Sequence, residues 1–207
     1  MIRKQIEQKI IVCPNGIDDY WLNNQTKQRT PIKPNFCYIG RMERIKNVPA
    51  VMKAVLSLKE KIPEIHFDIV GAGGRDEARI RNLSAQHPET IHYYGPIYDK
   101  NELRNIFLRN NVFIMASHHE TFGLVYIEAL TQGLNVIFTK NEGIDGMFPS
   151  SIGIAVNSHN EKEIAEAMER ICSGVDDFVL PSIDFSIFRW NHIGEFYLSL
   201  YKKALQI

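Results

Sequence analysis

Short apolar runs alternate along this chain with longer segments whose apolar residues recur at helical spacing. The runs fall at Ile10–Cys13, Asn35–Gly40, Ile65–Val70, Thr90–Tyr94, Val112–Ala116, Leu134–Thr139 and Ile152–Val156, each of strand length. After the second run, Val48, Val51, Met52, Val55, Leu58 and Ile62 mark a helix face, with Asn47 placed to N-cap it and Pro49 in its first turn. A polar helix is predicted over about 76–86. Asp99 and Glu102 stand in capping-box spacing ahead of Leu103, Ile106 and Phe107, and Asn160 and Glu163 repeat it ahead of Ile164, Ala167, Met168 and Ile171. A helix is predicted over 122–132 and a last one over about 191–205, where Ile193, Phe196, Tyr197, Leu200 and Tyr201 form a stripe expected to face a core. Residues 23–35, with Pro31 and Pro34, read as a loop or hairpin, and the segment 173–185, with Pro181, as the separator before the last helix.

Strands that are apolar throughout are strands buried on both faces, and a parallel sheet covered by helices above and below requires that. About six β-α units in about 170 residues predict one α/β domain, a doubly wound parallel sheet of Rossmann-like type, spanning residues 1–207. The composition supports a core: 44% of the 207 residues are hydrophobic and 23% charged. Lys plus Arg is 24 and Asp plus Glu is 24, a balance that argues against a protein built to coat nucleic acid or an anionic membrane. No uncharged apolar run is long enough to span a bilayer, and Met1–Lys9 is polar, without the apolar stretch of a signal peptide; a cytoplasmic location is expected. Cys13, Cys37 and Cys172 are odd in number and far apart, which predicts free thiols in a reducing compartment.

In an open parallel sheet, ligands sit at the carboxyl ends of the strands. The residues there are Gly40-Arg41 with Lys46 beyond, Gly71-Ala72-Gly73-Gly74-Arg75, Gly95-Pro96-Ile97, Ser117-His118-His119-Glu120-Thr121-Phe122-Gly123 and Lys140-Asn141-Glu142-Gly143. Glycine and cations at strand ends suit a phosphate-bearing ligand met by backbone amides. The dinucleotide fingerprint fails at Asp76, where its third glycine belongs, and no Walker A loop occurs. Glu120 and Glu128, eight residues apart, would stand about 12 Å apart along a helix. That is too far for the carboxylate pair of a retaining glycosidase, which needs about 5–5.5 Å. It suits two contacts to separate hydroxyl groups of one extended ligand, with the helix N-terminus and the amides of Phe122, Gly123 and Leu124 between them. Hydroxyl, phosphate, hydroxyl is the layout of a nucleotide-sugar. His118 and His119 are adjacent in an extended segment, so their rings diverge and a shared metal site is not expected; nor is there a DxD.

Pro14-Asn15-Gly16-Ile17-Asp18, Gly40-Arg41 with Lys46, Val70-Gly71-Ala72-Gly73, and Glu120 through Glu128-Ala129-Leu130 with Gly133 and Val136 occur in this order over nearly the whole chain. In this the sequence resembles the C-terminal, donor-binding domain of GT-B-fold retaining glycosyltransferases of family 4, the glycosyl transferases group 1. The resemblance implies roles. Arg41 and Lys46 would bind the donor diphosphate and stabilise it as it leaves, and Glu120 would orient the donor sugar; these are the expected catalytic residues. Glu128 would accept from the ribose hydroxyls, and Phe122, Gly123 and Leu124 would offer amides. Gly40, Gly71 and Gly73 would let the backbone approach the ligand, and Pro96 and Ile97 would edge the base. No metal or other cofactor is implied. The implied partners are a nucleotide-sugar donor, a glycan or lipid acceptor and an acceptor-binding domain expected to precede residue 1, through which the chain would meet the inner face of a membrane. A non-catalytic nucleotide-sugar-binding subunit and a sugar-nucleotide epimerase are the rival readings. The sequence departs from the family where Asn47 rather than glycine follows Lys46, where Asn135 rather than proline precedes Val136, and in the thin glycine content of 141–146.

Overall fold

The computed structural model describes residues 11–13, 15–28, 31–148, 152–173, 180 and 182–205. Six strands form one sheet: β1 (Asn35–Ile39), β2 (His66–Val70), β3 (Ile91–Gly95), β4 (Val112–Met115), β5 (Asn135–Thr139) and β6 (Gly153–Val156). Every pairing is parallel and the order is β3-β2-β1-β4-β5-β6. The chain winds outward from β1 to β3, crosses back to β4, and winds outward the other way. This is the doubly wound arrangement, and its switch point lies between β1 and β4.

Burial follows strand position. The interior residues of β1, β2, β4 and β5 are shielded on both faces, whereas the edge strands β3 and β6 are largely half-buried. Phe36, Phe67, Phe113, Ile69, Ile114 and Ile137 have no exposed surface; each such side chain contributes roughly 1.5–3 kcal/mol of burial. The helices are α1 (Asp19–Asn23), α2 (Val48–Leu58), α3 (Glu77–Gln86), α4 (Lys100–Arg109), α5 (Leu124–Thr131), α6 (Glu161–Cys172) and α7 (Trp190–Leu205). α2 packs against α3 and α6. Its apolar positions Val48, Val51, Met52, Val55 and Leu58 are all buried, as their spacing predicts.

Two caps form as predicted. Asp99 accepts from the amides of Asn101 and Glu102 at the start of α4, and Asn160 accepts from the Glu163 amide at the start of α6. Asn47 does not cap α2 with its side chain. It sits in the left-handed region at φ 56°, and its Nδ2 instead donates to the carbonyls of Ala116 (3.1 Å) and Ser158 (2.7 Å). Residues 11–13 of the first apolar run carry no strand, and Ile10 and Pro14 lie outside the described residues; the nearby pairing is a single bridge between Ile17 and Arg189. Of the expected separator, residues 174–179 and Pro181 also lie outside them. The stripe on the last helix is not a core stripe. On α7 only Ile193 is buried, while Tyr197, Leu198, Tyr201 and Leu205 are 45–67% exposed, because the helix touches the body mainly through the turn at Phe185–Phe188. Among the described residues no disulfide joins Cys13, Cys37 or Cys172. Among the described residues no helix is long and apolar enough to cross a membrane.

Candidate functional site

Three loops meet at the switch point and are stitched together through the backbone. The loop after β1 is joined to the loop after β4 by the His118 amide donating to the Ile45 carbonyl (2.8 Å) and by Asn47 Nδ2 on the Ala116 carbonyl. The loop after β5 is joined to the same segment. The Glu120 amide donates to Glu142 Oε2 (2.8 Å), and the Gly143 amide donates to the Glu120 carbonyl (2.8 Å). Glu120 is therefore held by both of its backbone groups, and its carboxylate reaches across the switch point. There Lys46 Nζ meets Glu120 Oε2 at 2.6 Å, with the lysine side chain 24% exposed and the glutamate 11%. The pair joins residues 74 apart in sequence.

Arg41 leaves β1 beside them. Its carbonyl accepts from the Tyr38 hydroxyl (2.7 Å), and its side chain is exposed and paired with Glu43 (3.0 Å). Tyr38 is buried under this loop. Burial, then the charge of Glu120, raises its phenol far above the usual range, so it serves as a neutral donor. Gly40 belongs here because a Cβ would stand 2.7 Å from that hydroxyl.

α5 begins at Leu124, two residues later than predicted, so Glu120 stands off the helix and its charge is met by Lys46. Gly123, at φ 73°, starts the helix with no side-chain cap; a Cβ there would lie 2.5 Å from the Tyr126 ring. The amides of Gly123, Leu124 and Val125 meet no acceptor among the described residues. On the Glu120 side, an open cleft of about 630 Å³ is lined by His119, Glu120, Thr121, Asn141, Glu142 and Gly143 among others.

Glu128 lies four residues into α5, half-buried and facing α1 and its flanks. Burial pushes its carboxyl up to about 7 and the charge of Asp18 adds to this, against the opposing effects of Lys100 and a hydrogen bond from the Trp21 side chain. Lys100 itself is paired with Asp18 at 2.5 Å. Glu128 thus titrates near neutrality and is separate from the Lys46–Glu120 pair. Pro96 and Ile97 follow β3 at the same sheet edge, Pro96 exposed and Ile97 half-buried.

At Gly71 and Gly73 the structure shows where the backbone amides donate. The Gly71 amide donates to the Gly95 carbonyl (2.8 Å) and the Gly73 amide to Glu77 Oε2 (2.6 Å). Gly71 is required here on steric grounds: at φ 134° a Cβ would fall 1.8 Å from the Gly40 carbonyl oxygen. The histidine rings diverge, as expected. His118 turns to Ser158 (3.2 Å) and stacks on His159, and His119 turns to Glu142 (2.9 Å). Sequence reasoning misses Glu142, whose only signal is its place at the end of β5, and the bridging role of Asn47, which the sequence pattern assigns to a cap.

The glycosyl transferases group 1 family model matches residues 21–176. The chain belongs to this family. A relative from Streptococcus pneumoniae serotype 4, the UDP-N-acetylglucosamine–peptide N-acetylglucosaminyltransferase GtfA subunit, is 32% identical over 133 residues, covering 64% of this chain and 25% of the relative. A D-inositol 3-phosphate glycosyltransferase from Paenarthrobacter aurescens is 25% identical over 214 residues, covering 95% of this chain and 52% of the relative. Among solved structures, the pneumococcal O-GlcNAc transferase GtfA in complex with UDP and GlcNAc superposes with a TM-score of 0.69 at 22% identity, covering 94% of this chain and 39% of that one. The sheet and its helices have the fold of a GT-B C-terminal domain. The chain spans between a quarter and about half the length of these curated relatives.

Proposed function

We propose that this chain binds a nucleoside-diphosphate sugar, and that with an acceptor-binding domain or subunit it transfers a hexose-type sugar to a hydroxyl of a glycan or lipid, with retention at the anomeric carbon. The observation that carries this reading is the Lys46–Glu120 pair at the switch point, beside the open amides at the start of α5. A carboxylate that accepts from sugar hydroxyls and a cation that meets phosphate oxygens are the two chemistries the donor needs side by side. In this structure each neutralises the other. The diphosphate draws Lys46 away from Glu120, and Glu120 turns to the sugar.

The exposed Arg41 gives up Glu43 at little cost, since a solvent-exposed ion pair is worth about 0–1 kcal/mol. Its planar fork then closes on the phosphates. When the bond between the anomeric carbon and the diphosphate oxygen breaks, the negative charge that develops is met by Arg41, Lys46 and the α5 amides. Under this reading the leaving group needs no divalent cation. Glu128 accepts from the ribose hydroxyls, and Pro96 and Ile97 flank the base.

Calorimetry and thermal shift with UDP, GDP, ADP and their sugars test the reading, with the uridine compounds first because one relative is named for a UDP-sugar and one similar structure was solved with UDP. One nucleoside diphosphate is expected to bind. A charge-assisted hydrogen bond is worth about 1.5–3 kcal/mol, so Lys46→Ala and Arg41→Ala should each weaken binding roughly 10- to 100-fold. If no nucleotide in the panel binds, or both variants stay within twofold of wild type, the reading fails.

A further inference from the structure

A second cluster of chemistry-bearing side chains lies on the β2–β3 half of the sheet, away from the strand ends that form the donor site. Residues 66 and 68 share one face of β2 by strand alternation, and the register pairs Asp68 with His92 on β3. Tyr93 points to the other face, where its hydroxyl meets Glu77 of α3. The face carrying His66, Asp68, His92 and Tyr94 is met by the end of α4, from which Arg109 and Asn110 reach in.

Asp68 is fully buried, and its two oxygens are divided. Oδ2 accepts from Arg109 Nε (2.7 Å) and Asn110 Nδ2 (2.8 Å). Oδ1 faces His66 Nε2 (2.7 Å), His92 Nδ1 (3.6 Å) and the Tyr94 hydroxyl (3.3 Å). The two ring nitrogens stand 3.2 Å from each other. Two nitrogens that close cannot both point a proton at the other, so at least one lone pair is aimed into the space between them.

We propose that His66 Nε2, His92 Nδ1 and Asp68 Oδ1 form a divalent-metal site whose occupant is Zn²⁺. In a tetrahedral zinc site with bonds of about 2.0–2.1 Å, ligand atoms are separated by roughly 3.3 Å. The three separations here, 2.7, 3.2 and 3.6 Å, bracket that value. Arg109 and Asn110 provide the outer contacts that orient a ligating carboxylate. Arg109 lies over the Tyr94 ring at 4.6 Å, on the Oδ2 side. Its positive charge beside the site lowers the affinity for a cation. His66 and His92 are 27% and 37% exposed, which gives the ion an entry path and leaves the fourth position to water or Tyr94. Bound there, the ion clamps edge strand β3 to β2 below the register shift at Ile69/Val70. The role is structural and does not depend on the reading of the donor site.

The test uses the 207-residue chain treated with EDTA and titrated with zinc chloride by calorimetry. One equivalent should bind and raise Tm. His66→Gln and His92→Gln should each weaken binding at least roughly tenfold and abolish the Tm shift, and His118→Gln should retain both. Long-range ¹H–¹⁵N spectra of the seven histidine rings give a readout that needs no variant: zinc should move the His66 and His92 resonances. Absence of binding, binding that survives both glutamine variants, or zinc-induced shifts confined to other histidines would overturn the proposal.

Discussion

At the scale of single residues, Glu128 shows what packing adds to a motif. The spacing from Glu120 is legible in the sequence, as are Arg41 and Lys46 at strand ends. The environment is not, because Trp21, Asp18 and Lys100 reach Glu128 from distant parts of the chain. Its carboxyl titrates near 7 when folded and near 4.5 in an unfolded chain. Between those values the folded state holds a proton that the unfolded state has released, so stability is full below pH 4.5 and falls as pH rises toward 7. Urea midpoints of wild type and Glu128→Gln from pH 5 to 8 should therefore diverge, wild type losing ground to the glutamine variant as pH rises. A pH-independent difference would show that the group is not perturbed. The Lys46–Glu120 contact was equally beyond the sequence. Each residue was named as a candidate, but their separation of 74 positions hides that they neutralise each other. His66, Asp68 and His92 were invisible for a related reason: only the β2–β3 register brings them together.

At the scale of elements, what the sequence showed well was what local chemistry decides. Asp99 and Asn160 cap α4 and α6 because a short acceptor four residues ahead of an apolar face satisfies free amides wherever it occurs. Asp99 accepts from two amides, so Asp99→Ala should cost about 1 kcal/mol in urea unfolding, within the range for lost caps. Asn47 has the same chemistry and a different fate. Carbonyls of two other loops, Ala116 and Ser158, compete for its side chain, and that competition is set by the fold. Gly71 illustrates the same limit: the sequence marks a glycine at a strand end, and the structure supplies the reason. A methyl group there meets the Gly40 carbonyl at 1.8 Å in a backbone conformation that side chains rarely adopt. Gly71→Ala should cost at least about 1–3 kcal/mol of stability, since the backbone of either loop has to move. A variant as stable as wild type would mean that the loop relaxes freely.

At the scale of the molecule, equal numbers of cations and anions conceal a division of labour across the switch point. Lys46 comes from the β1–β3 winding, and Glu120, the open amides and Glu128 come from the β4–β6 winding. A ligand that takes all four bridges the two windings and stabilises the chain as a whole. At one hundred times its Kd, such a ligand adds about 2.7 kcal/mol, which for a chain of this size raises Tm by roughly 5–10 °C. At the same nucleotide concentration a Lys46→Ala chain, binding roughly 10- to 100-fold more weakly, should keep about half of that shift or less. Zinc at His66, Asp68 and His92 would act on the amino-terminal and middle parts of β2 and β3, and among the described residues these three share no hydrogen-bond partner with Lys46 or Glu120. The stabilisations from nucleotide and zinc should therefore add to within about 0.3–0.5 kcal/mol. Melting curves with each ligand alone and with both together measure this directly. A shortfall or excess beyond that margin would reveal a coupling free energy between the two sites, which by linkage would also appear as a change in nucleotide affinity when zinc binds.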